Sequence, residues 1–431
     1  MSIWLKNATV FDGKAFMEGM RHLVVEEGRI AHLGAEAPEG FEGQTLDLEG
    51  KWLCPGFWDL HTHLREPGQE WREDLTSGSL AGAAGGYTTL VAMPNTDPPV
   101  DCPSAVSYVA RKGRELPGAR VLPAGCVSKE RKGEELAELL KMAEEGAVLF
   151  TDDGAPVRSS GLLRLALRYL DGTGLAVMEH SEDRSLFGKG QVHEGVISAV
   201  SGLAGVPSSC EVLGVQRGIE LLREVGGCLH FTHLSAARSL ELIRAAKAEG
   251  LSVTCDVTPH HLTFSEEDVM ASGYDGYFKV NPPLRSVRDR EALWGGIEDG
   301  TVDAIGTDHA PWHADEKDLP FQEASFGIAS LECAAAGVLD GAARRGVAAE
   351  KVLAALTRAP RCILGRGGDD LLAVGAEADL TVVDPDRVEK VNPRLWRSKA
   401  KHSPWSGVVL KGWPVLTLLG DRVLWRASEE Q

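Results

Sequence analysis

The feature that most constrains the fold is an alternation of short apolar runs with longer amphipathic stretches between about residue 52 and residue 360. Each run is short enough to be a buried strand. The eight runs are Trp52–Leu60, Tyr87–Met93, Val121–Ala124, Ala147–Phe150, Leu175–Glu179, Cys228–Thr232, Leu251–Val257 and Val302–Gly306. Helical patterns between them include Glu73–Ala84, Gly133–Ala143, Ser160–Tyr169, Cys210–Glu224 and Ala236–Ala248. This alternation predicts an α/β fold with a (β/α)8 barrel, and a doubly wound open sheet is the alternative.

The two ends of the chain have a different pattern. About 50 residues at the start and about 55 at the end alternate with period two and are interrupted by glycines, which predicts β structure. A small β domain assembled from both ends would bring the termini together. The predicted division is therefore residues 1–52 and 363–431 for the two parts of the small β domain, and residues 53–362 for the catalytic barrel.

The composition is that of a globular protein and argues against two classes of partner. The chain has 431 residues, and 45 Lys and Arg against 63 Asp and Glu give it a formal net charge of −18. An acidic surface repels phosphate backbones, which argues against nucleic acid. No apolar stretch approaches the roughly 18 residues that a membrane helix needs, and the N-terminus lacks a signal-segment pattern. We therefore predict a cytoplasmic protein that binds neither nucleic acid nor membrane.

Polar side chains follow six of the eight apolar runs directly. They are His61 and His63 after the first run, Asn95 after the second, Asp152 and Asp153 after the fourth, His180 after the fifth, His233 after the sixth and Asp308 after the eighth. A barrel gathers the carboxyl ends of its strands at one face, whereas an open sheet would spread them along an edge. Four imidazoles and two carboxylates are enough for two metal ions that share a bridge and generate a hydroxide nucleophile.

The spacing of individual residues supports the metal-site hypothesis for some of them and leaves the role of others open. His61 and His63 are two residues apart, so on a strand they project from one face and can bind one ion. Sequence alone does not decide whether Asp152 or Asp153 is the ligand. His260 and His261 point to opposite faces if they continue a strand, so at most one faces the centre.

Several strings together resemble a bacterial dihydroorotase of the amidohydrolase superfamily, and the resemblance covers nearly the whole chain. They are Pro-Gly-Phe-Trp-Asp-Leu-His-Thr-His-Leu-Arg-Glu-Pro-Gly at 55–68, Met-Pro-Asn-Thr at 93–96, Phe-Thr-Asp-Asp-Gly at 150–154, Glu-His at 179–180, Thr-His-Leu-Ser at 232–235, Val-Asn-Pro-Pro-Leu-Arg at 280–285 and Gly-Thr-Asp-His-Ala-Pro at 306–311. Asp-x-His-x-His recurs across the superfamily. The combination of His-x-Arg-x-Pro-Gly with Phe-x-Asp-Asp-Gly is far narrower.

The resemblance implies an enzyme that interconverts N-carbamoyl-L-aspartate and dihydroorotate in pyrimidine biosynthesis, with one or two zinc ions. It assigns one zinc to His61, His63 and Asp308, a second to His180 and His233, and a bridging position to Asp153. It counts as substrate-binding His63, Arg65, Asn95, Asn281, Phe326 and Gly327, with Arg65 and Asn95 at the substrate carboxylate and Asn281 at the ring amide. Asp308 would accept a proton from metal-bound hydroxide and pass it to the departing ring nitrogen.

Two departures from related sequences bear on this assignment. Hydantoinases and allantoinases bridge their metals with a carbamylated lysine at the end of strand four, and this sequence has no lysine there, which argues against those enzymes. The family usually has a substrate-contacting His four residues after the metal-binding Asp, where this chain has Trp312 followed by His313. Either His313 takes over that contact, or Trp312 packs on the substrate, or the contact is lost.

A third alternative is a non-catalytic scaffold for aspartate carbamoyltransferase. Such relatives typically lack the metal-binding His residues, whereas every ligand position is filled in this chain. The sequence leaves open whether the protein forms a homo-oligomer and whether it associates with aspartate carbamoyltransferase.

Overall fold

The computed structural model describes residues 2–428, and its first part is a group of five strands. They are β1 (Ile3–Val10), β2 (Arg21–Glu26), β3 (Arg29–Gly34), β4 (Gln44–Asp47) and β5 (Trp52–Pro55). Along β1 the side chains of Ile3, Leu5, Ala8 and Val10 are buried, so one face of the strand contributes to an apolar core.

The middle of the chain contains mostly parallel strands. They are β6 (Phe57–Thr62), β7 (Tyr87–Ala92), β8 (Arg120–Pro123), β9 (Ala176–Glu179), β10 (Val192–His193), β11 (Gly205–Val206), β12 (Cys228–Phe231), β13 (Val253–Val257) and β14 (Ala304–Ile305). Strands β6, β7 and β8 form one parallel sheet, and β9, β12, β13 and β14 form another. Strands β10 and β11 pair only with each other.

Isolated parallel bridges connect the two parallel sheets at both edges. Phe150 bridges to Gly125 after β8 and to Val177 in β9, and His309 after β14 bridges to Thr62 in β6. The parallel pairings therefore run in a closed circuit of seven strands and the segment around Phe150. The α/β class predicted from the sequence is confirmed, and the carboxyl ends of these parallel segments converge on one face.

The last strands return to the first ones. They are β15 (Asp379–Lys390), β16 (Val409–Leu419) and β17 (Arg422–Arg426). The order β17-β16-β15-β5-β1-β2-β3, with β4 beside β1, makes one eight-stranded sheet in which β15 runs antiparallel to β5. Both ends of the chain thus contribute to a single sheet with its own buried apolar cluster.

Helices follow most of the parallel strands. They are α1 (Leu75–Ala84), α2 (Pro103–Arg114), α3 (Leu139–Glu144), α4 (Ser160–Leu170), α5 (Arg184–Phe187), α6 (Val196–Ser201), α7 (Ser209–Val225), α8 (Ala237–Ala248), α9 (Pro259–Thr263), α10 (Glu266–Ala271), α11 (Val287–Asp299), α12 (Ala314–Lys317), α13 (Ala334–Arg345), α14 (Ala349–Leu356) and α15 (Arg358–Ile363). Helix α1 begins after Asp74, whose side chain accepts a hydrogen bond from the backbone of Ser77. Among the described residues, no helix is long and apolar enough to cross a membrane.

The structure differs from the sequence prediction mainly between β8 and α4. The run Ala147–Phe150 forms bridges instead of a regular strand, and the helix predicted at Gly133–Ala143 begins only at Leu139. The cause is local, because Leu136 forms an antiparallel bridge to Ser128, and the backbone N–H of Ala137 donates to the carbonyl of Val127 at 2.9 Å in place of a helical bond. The run Val302–Gly306 is likewise shorter, with β14 limited to two residues.

Candidate metal centre and substrate site

The six side chains predicted to bind metal lie together at the carboxyl ends of the parallel segments. Each is at most 5% exposed, and they are His61, His63, Asp153, His180, His233 and Asp308. His61 lies near the end of β6, and the others follow β6, the Phe150 segment, β9, β12 and β14. Buried charged groups are stable only when they are paired or bind an ion, so the cluster requires compensation at its centre.

The spacing of the donor atoms fits a metal ion. Nε2 of His61 lies 3.2 Å from Nε2 of His63 and 3.5 Å from Oδ1 of Asp308, and Nε2 of His63 lies 2.9 Å from the same oxygen. Tetrahedral donors about 2.1 Å from a zinc ion lie about 3.4 Å from one another. His61, His63 and Asp308 therefore form one group that can hold a metal, and His61, Asp153 and His233 form a second.

Asp153 lies between the two sets of imidazoles. Its Oδ2 is 3.2 Å from Nε2 of His61 and 3.4 Å from Nε2 of His63. Its Oδ1 is 3.4 Å from Nε2 of His233 and 3.7 Å from Nδ1 of His180. One carboxylate oxygen thus faces each set, which is the arrangement that a bridging ligand requires.

The structure also shows that Asp153 and its neighbour Asp152 have different partners. Oδ1 of Asp152 accepts the backbone N–H of Ser128 at 3.0 Å, and Oδ2 accepts the Ser128 hydroxyl at 2.5 Å. Asp152 therefore holds the loop after β8 in place. Of the two adjacent carboxylates, only Asp153 faces the imidazoles.

Asp256 in β13 helps to orient His233 directly and His61 through Thr232. Its carboxylate accepts the backbone N–H of His233 at 2.7 Å and the hydroxyl of Thr232 at 3.0 Å, and it lies 2.8 Å from Nε2 of His230. Oγ1 of Thr232 lies 2.7 Å from Nδ1 of His61, which leaves Nε2 of that ring free to face the centre. Nδ1 of His230 lies 2.8 Å from Oγ1 of Thr254, and His230 belongs to neither of the two groups that can hold a metal.

The sequence analysis did not identify Asp256 or its counterpart Asp59 in β6. Asp59 accepts the backbone N–H groups of His61 and Thr307, each at 3.0 Å. Both carboxylates are fully buried, and each lies within an apolar run. A charged residue inside a buried strand needs a partner, so this position is the signal that could have identified them.

The buried carboxylates and imidazoles shift one another's pKa. Burial disfavours the charged form of His61, but Asp153 and Asp308 reverse that effect and raise its pKa to about 9. Burial also opposes the charged form of His180, and Asp153 with Glu182 raises its pKa to about 10. Burial opposes ionisation of Asp153 and Asp308, yet the imidazoles hold both pKa values below the usual range. The metal-free centre therefore carries protons that a divalent cation would displace.

Arg65 lies beside this centre with part of its guanidinium group free. Its Nε donates to the carbonyl of Pro311 at 3.1 Å, and within residues 2–428 its Nη1 and Nη2 have no hydrogen-bond acceptor. Burial and the nearby Arg72 lower the pKa of Arg65 to about 10, while the negative charges of Asp308 and Asp153 act in the opposite direction. A desolvated guanidinium with two free nitrogens is suited to a carboxylate ligand.

Two predicted substrate-binding amides adjoin the metal ligands. Oδ1 of Asn95 lies 2.9 Å from Nδ1 of His63, which orients that ring with Nε2 toward Asp308. Nδ2 of Asn281 donates to Oε2 of Glu182 at 2.8 Å. Glu182, two residues after His180, was not identified from the sequence, although residues two apart on an extended segment share a face.

Phe326 and Gly327 lie on a segment whose backbone is held by other parts of the chain. The N–H of Gly327 donates to the carbonyl of Lys279 at 2.9 Å, and its carbonyl accepts from Nζ of Lys317 at 2.8 Å. The carbonyl of Phe326 accepts from the indole N–H of Trp312 at 2.8 Å. Among the described residues, the N–H of Phe326 has no acceptor, so it remains available to a ligand.

The positions of the remaining histidines differ from the strand interpretation. His260 and His261 lie in α9, not on a strand. His261 is bonded to Thr258 and Pro282, whereas both ring nitrogens of the buried His260 lack a partner in the described part of the chain. The side chain of His313 is half exposed and caps α12, so it does not enter the site.

Comparison with known proteins places these features in a family. A family model described as Dihydro-orotase-like matches residues 50–239. The chain is 42% identical over 423 residues to the dihydroorotase of Anaeromyxobacter dehalogenans (strain 2CP-C), covering 98% of this chain and 97% of that protein. The chain belongs to the dihydroorotase family. The family's Geobacillus kaustophilus (strain HTA426) member is 41% identical, with 99% of each chain covered.

Solved structures of other enzymes share the fold of this dihydroorotase-family protein. An L-hydantoinase (dihydropyrimidinase) from Arthrobacter aurescens has a TM-score of 0.89 and 26% identity, with 99% of this chain and 96% of that chain covered. A D-hydantoinase with 21% identity has a TM-score of 0.84 and covers 99% of this chain and 95% of its own. The α/β architecture is therefore shared with hydantoinases across the whole chain.

Proposed function

We propose that this protein is a zinc-dependent dihydroorotase that interconverts N-carbamoyl-L-aspartate and dihydroorotate in de novo pyrimidine (UMP) biosynthesis. The observation that carries the proposal is the buried guanidinium of Arg65, with two nitrogens free, beside a cluster of four imidazoles and two carboxylates. Family membership supports the same reaction, since the two relatives named above at 41% and 42% identity are dihydroorotases.

The donor set fits one or two zinc ions. His61, His63 and Asp308 would hold one ion, and His180 and His233 would hold a second, with Asp153 between them. A bound zinc ion would supply a Lewis acid that polarises the ring carbonyl and makes water a stronger acid. Imidazole and carboxylate donors suit zinc, and no cysteine belongs to either ligand group.

Arg65 and Asn95 would bind the substrate carboxylate. The free Nη atoms of Arg65 offer a planar pair of donors that matches the two carboxylate oxygens. Oδ1 of Asn95 lies 2.9 Å from Nδ1 of His63, so the amide N–H groups of Asn95 would be the donors to the carboxylate. We place the ring amide near Asn281 and the backbone N–H of Phe326.

Asp308 would act as the proton carrier. It is a carboxylate at neutral pH, the form that can accept a proton, and it lies 2.9 Å from Nε2 of His63 at the centre of the proposed site. In ring opening it would take a proton from the attacking water and deliver it to the departing ring nitrogen. In ring closure it would take the proton from the carbamoyl nitrogen and return it to the departing oxygen.

We further propose that residues 53–362 form a (β/α)8 barrel, and that residues 1–52 and 363–431 form one small β domain. The closed circuit of parallel pairings and the eight-stranded sheet built from both chain ends support this division. A cytoplasmic location, a homo-oligomeric state and association with aspartate carbamoyltransferase stay predictions from the sequence.

A hydantoinase or allantoinase activity is the second candidate, favoured by the TM-score of 0.89 to an L-hydantoinase. The test is turnover by the zinc-loaded protein of dihydroorotate, N-carbamoyl-L-aspartate, hydantoin, allantoin and dihydrouracil, which is dihydroorotate without its carboxylate. We expect turnover of the first two compounds and little of the others, because only those two have a carboxylate for Arg65. Preferred turnover of hydantoin, allantoin or dihydrouracil would overturn the proposal.

A further inference from the structure

We propose that Trp312 is a positioning residue of the substrate-carboxylate site, where one indole ring fixes both the guanidinium of Arg65 and the backbone of Phe326. The proposal rests on the proposed function, because it specifies how that site recognises an anionic substrate. It also explains the departure at this position, where related sequences usually have histidine.

Two guanidinium groups lie over the ring of Trp312. Cζ of Arg65 is 4.9 Å from the ring centroid, and Cζ of Arg72 is 4.0 Å from it. Tryptophan offers the most favourable ring face for such cation–π contacts, and a partly desolvated contact of this kind is stronger than an exposed one. The ring therefore restricts the guanidinium plane of Arg65 without using its Nη donors.

Arg72 is neutralised by its own partner. Its Nε donates to both oxygens of Glu316, at 2.9 and 3.1 Å, and its Nη1 donates to Oε1 of Gln69 at 2.7 Å. Of the two guanidinium groups in this stack, Arg65 is therefore the one without a hydrogen-bonded carboxylate partner among the described residues. An anionic ligand is attracted to Arg65 and not to Arg72.

The edge of the same ring holds the segment opposite Arg65. The indole N–H donates to the carbonyl of Phe326 at 2.8 Å, and the Trp312 carbonyl lies 3.0 Å from Nε2 of His402. Gly327 allows this approach, since a Cβ at that position would lie 2.7 Å from the indole nitrogen and 2.7 Å from the Ala310 carbonyl. Its φ of +145° also favours glycine.

These contacts assign Trp312 a role that differs from direct contact with the substrate. Pro311 and Trp312 together hold Arg65, through the carbonyl bond to Nε and the ring face. An arginine that is already held in its binding conformation loses less side-chain entropy when a carboxylate binds. Loss of the ring should therefore weaken substrate binding in both directions and leave the chemical step and the metal ligands intact.

The test compares Trp312→Leu with Trp312→Phe, measured on the zinc-loaded protein in both reaction directions. We expect Trp312→Leu to raise KM about tenfold, with kcat within about twofold and metal content unchanged. Trp312→Phe keeps a ring face and loses the indole N–H, so its KM should be intermediate. Trp71→Leu is the matched control, because Trp71 is exposed and contacts Arg72 but not Arg65.

A double-mutant cycle with Arg65→Lys separates positioning from general structural damage. If Trp312 acts through Arg65, Trp312→Leu adds little to KM in the Arg65→Lys background. An unchanged KM in Trp312→Leu would overturn the proposal, and so would a fully additive effect of the two substitutions on KM. If Trp312→Leu fails to fold, the KM of Trp312→Phe provides the test. A wild-type protein without turnover in either direction would instead refute the proposed function, so the two failures are distinguishable.

Discussion

The metal end and the substrate end of the site are built in different ways. At the proposed metal end, the predicted ligands lie at or just after parallel segments, and buried carboxylates of the strands hold their backbone in place. At the substrate end, Arg65, Trp312 and Phe326 lie on loops held by ring contacts and backbone carbonyls. The difference teaches that strand ends alone bring the proposed metal ligands together, whereas the proposed substrate-binding residues depend on contacts between loops.

The largest expected effect comes from removing the imidazole shared by both ligand groups. His61→Ala should lower turnover about a thousandfold or more and reduce the bound metal, because the proposed site of His61, His63 and Asp308 loses one of its three donors. Steady-state kinetics and elemental analysis measure the two effects. The control His32→Ala removes an imidazole outside the site and should behave as wild type. A His61→Ala protein with normal turnover would contradict the assignment of His61 as a metal ligand.

The next effect is the pH dependence of zinc affinity. In the metal-free protein His61 and His180 hold protons up to a pKa of about 9 and about 10, so zinc must displace both. Each displaced proton weakens binding about tenfold per unit of falling pH, which gives about a hundredfold between about pH 8 and about pH 7. Chelator competition at several pH values measures it. A flat profile would contradict the raised pKa values of these two imidazoles in the metal-free protein.

Asp256→Asn tests the support of the metal end. The change keeps the size of the side chain but removes the carboxylate that is hydrogen-bonded to His233, Thr232 and His230. Zinc affinity should therefore fall about 10- to 100-fold. Asp303→Asn is the matched control, since Asp303 pairs with Lys247 away from the centre. Equal zinc affinities of the two variants would contradict the role of Asp256.

The smallest effect tests the substrate end through Lys317. Its Nζ donates to the carbonyls of Ser325 and Gly327 at 2.8 Å and of Lys279 at 3.2 Å, so it holds the segment that contains Phe326. Lys317→Met fills a similar volume without these bonds and should raise KM about fivefold with little change in kcat. Steady-state kinetics measure this effect, with Lys247→Met as the control variant. A change in metal content instead of KM would show that Lys317 supports the metal end of the site.

The same contrast explains which parts of the site could be predicted from the sequence. Five of the six proposed ligands, and the pair that contains the sixth, were predicted from their positions after buried apolar runs, and the resemblance to dihydroorotases selected Asp153. The choice between Asp152 and Asp153 could not be made from spacing alone, since it depends on the two hydrogen bonds that Ser128 donates to Asp152. The contact between Trp312 and Arg65 joins residues 247 positions apart in sequence, and no periodicity reports it.

The fold shows the same limits. The helices predicted at Ser160–Tyr169, Cys210–Glu224 and Ala236–Ala248 agree with α4, α7 and α8 within one residue at each end, because their apolar faces repeat regularly. The segment after β8 departs from its predicted helix, because residues 135–137 pair antiparallel with residues 127–129 through backbone hydrogen bonds, a contact that helical periodicity does not report.

The central claim is that this metal centre and Arg65 together make a dihydroorotase. The most direct measurement removes the metal with a chelator and then titrates zinc back while following ring opening of dihydroorotate and ring closure of N-carbamoyl-L-aspartate. We predict no turnover without metal, and a return of both activities in proportion to the zinc bound. Turnover by the metal-free protein, or fully zinc-loaded protein without turnover in either direction, would contradict the account.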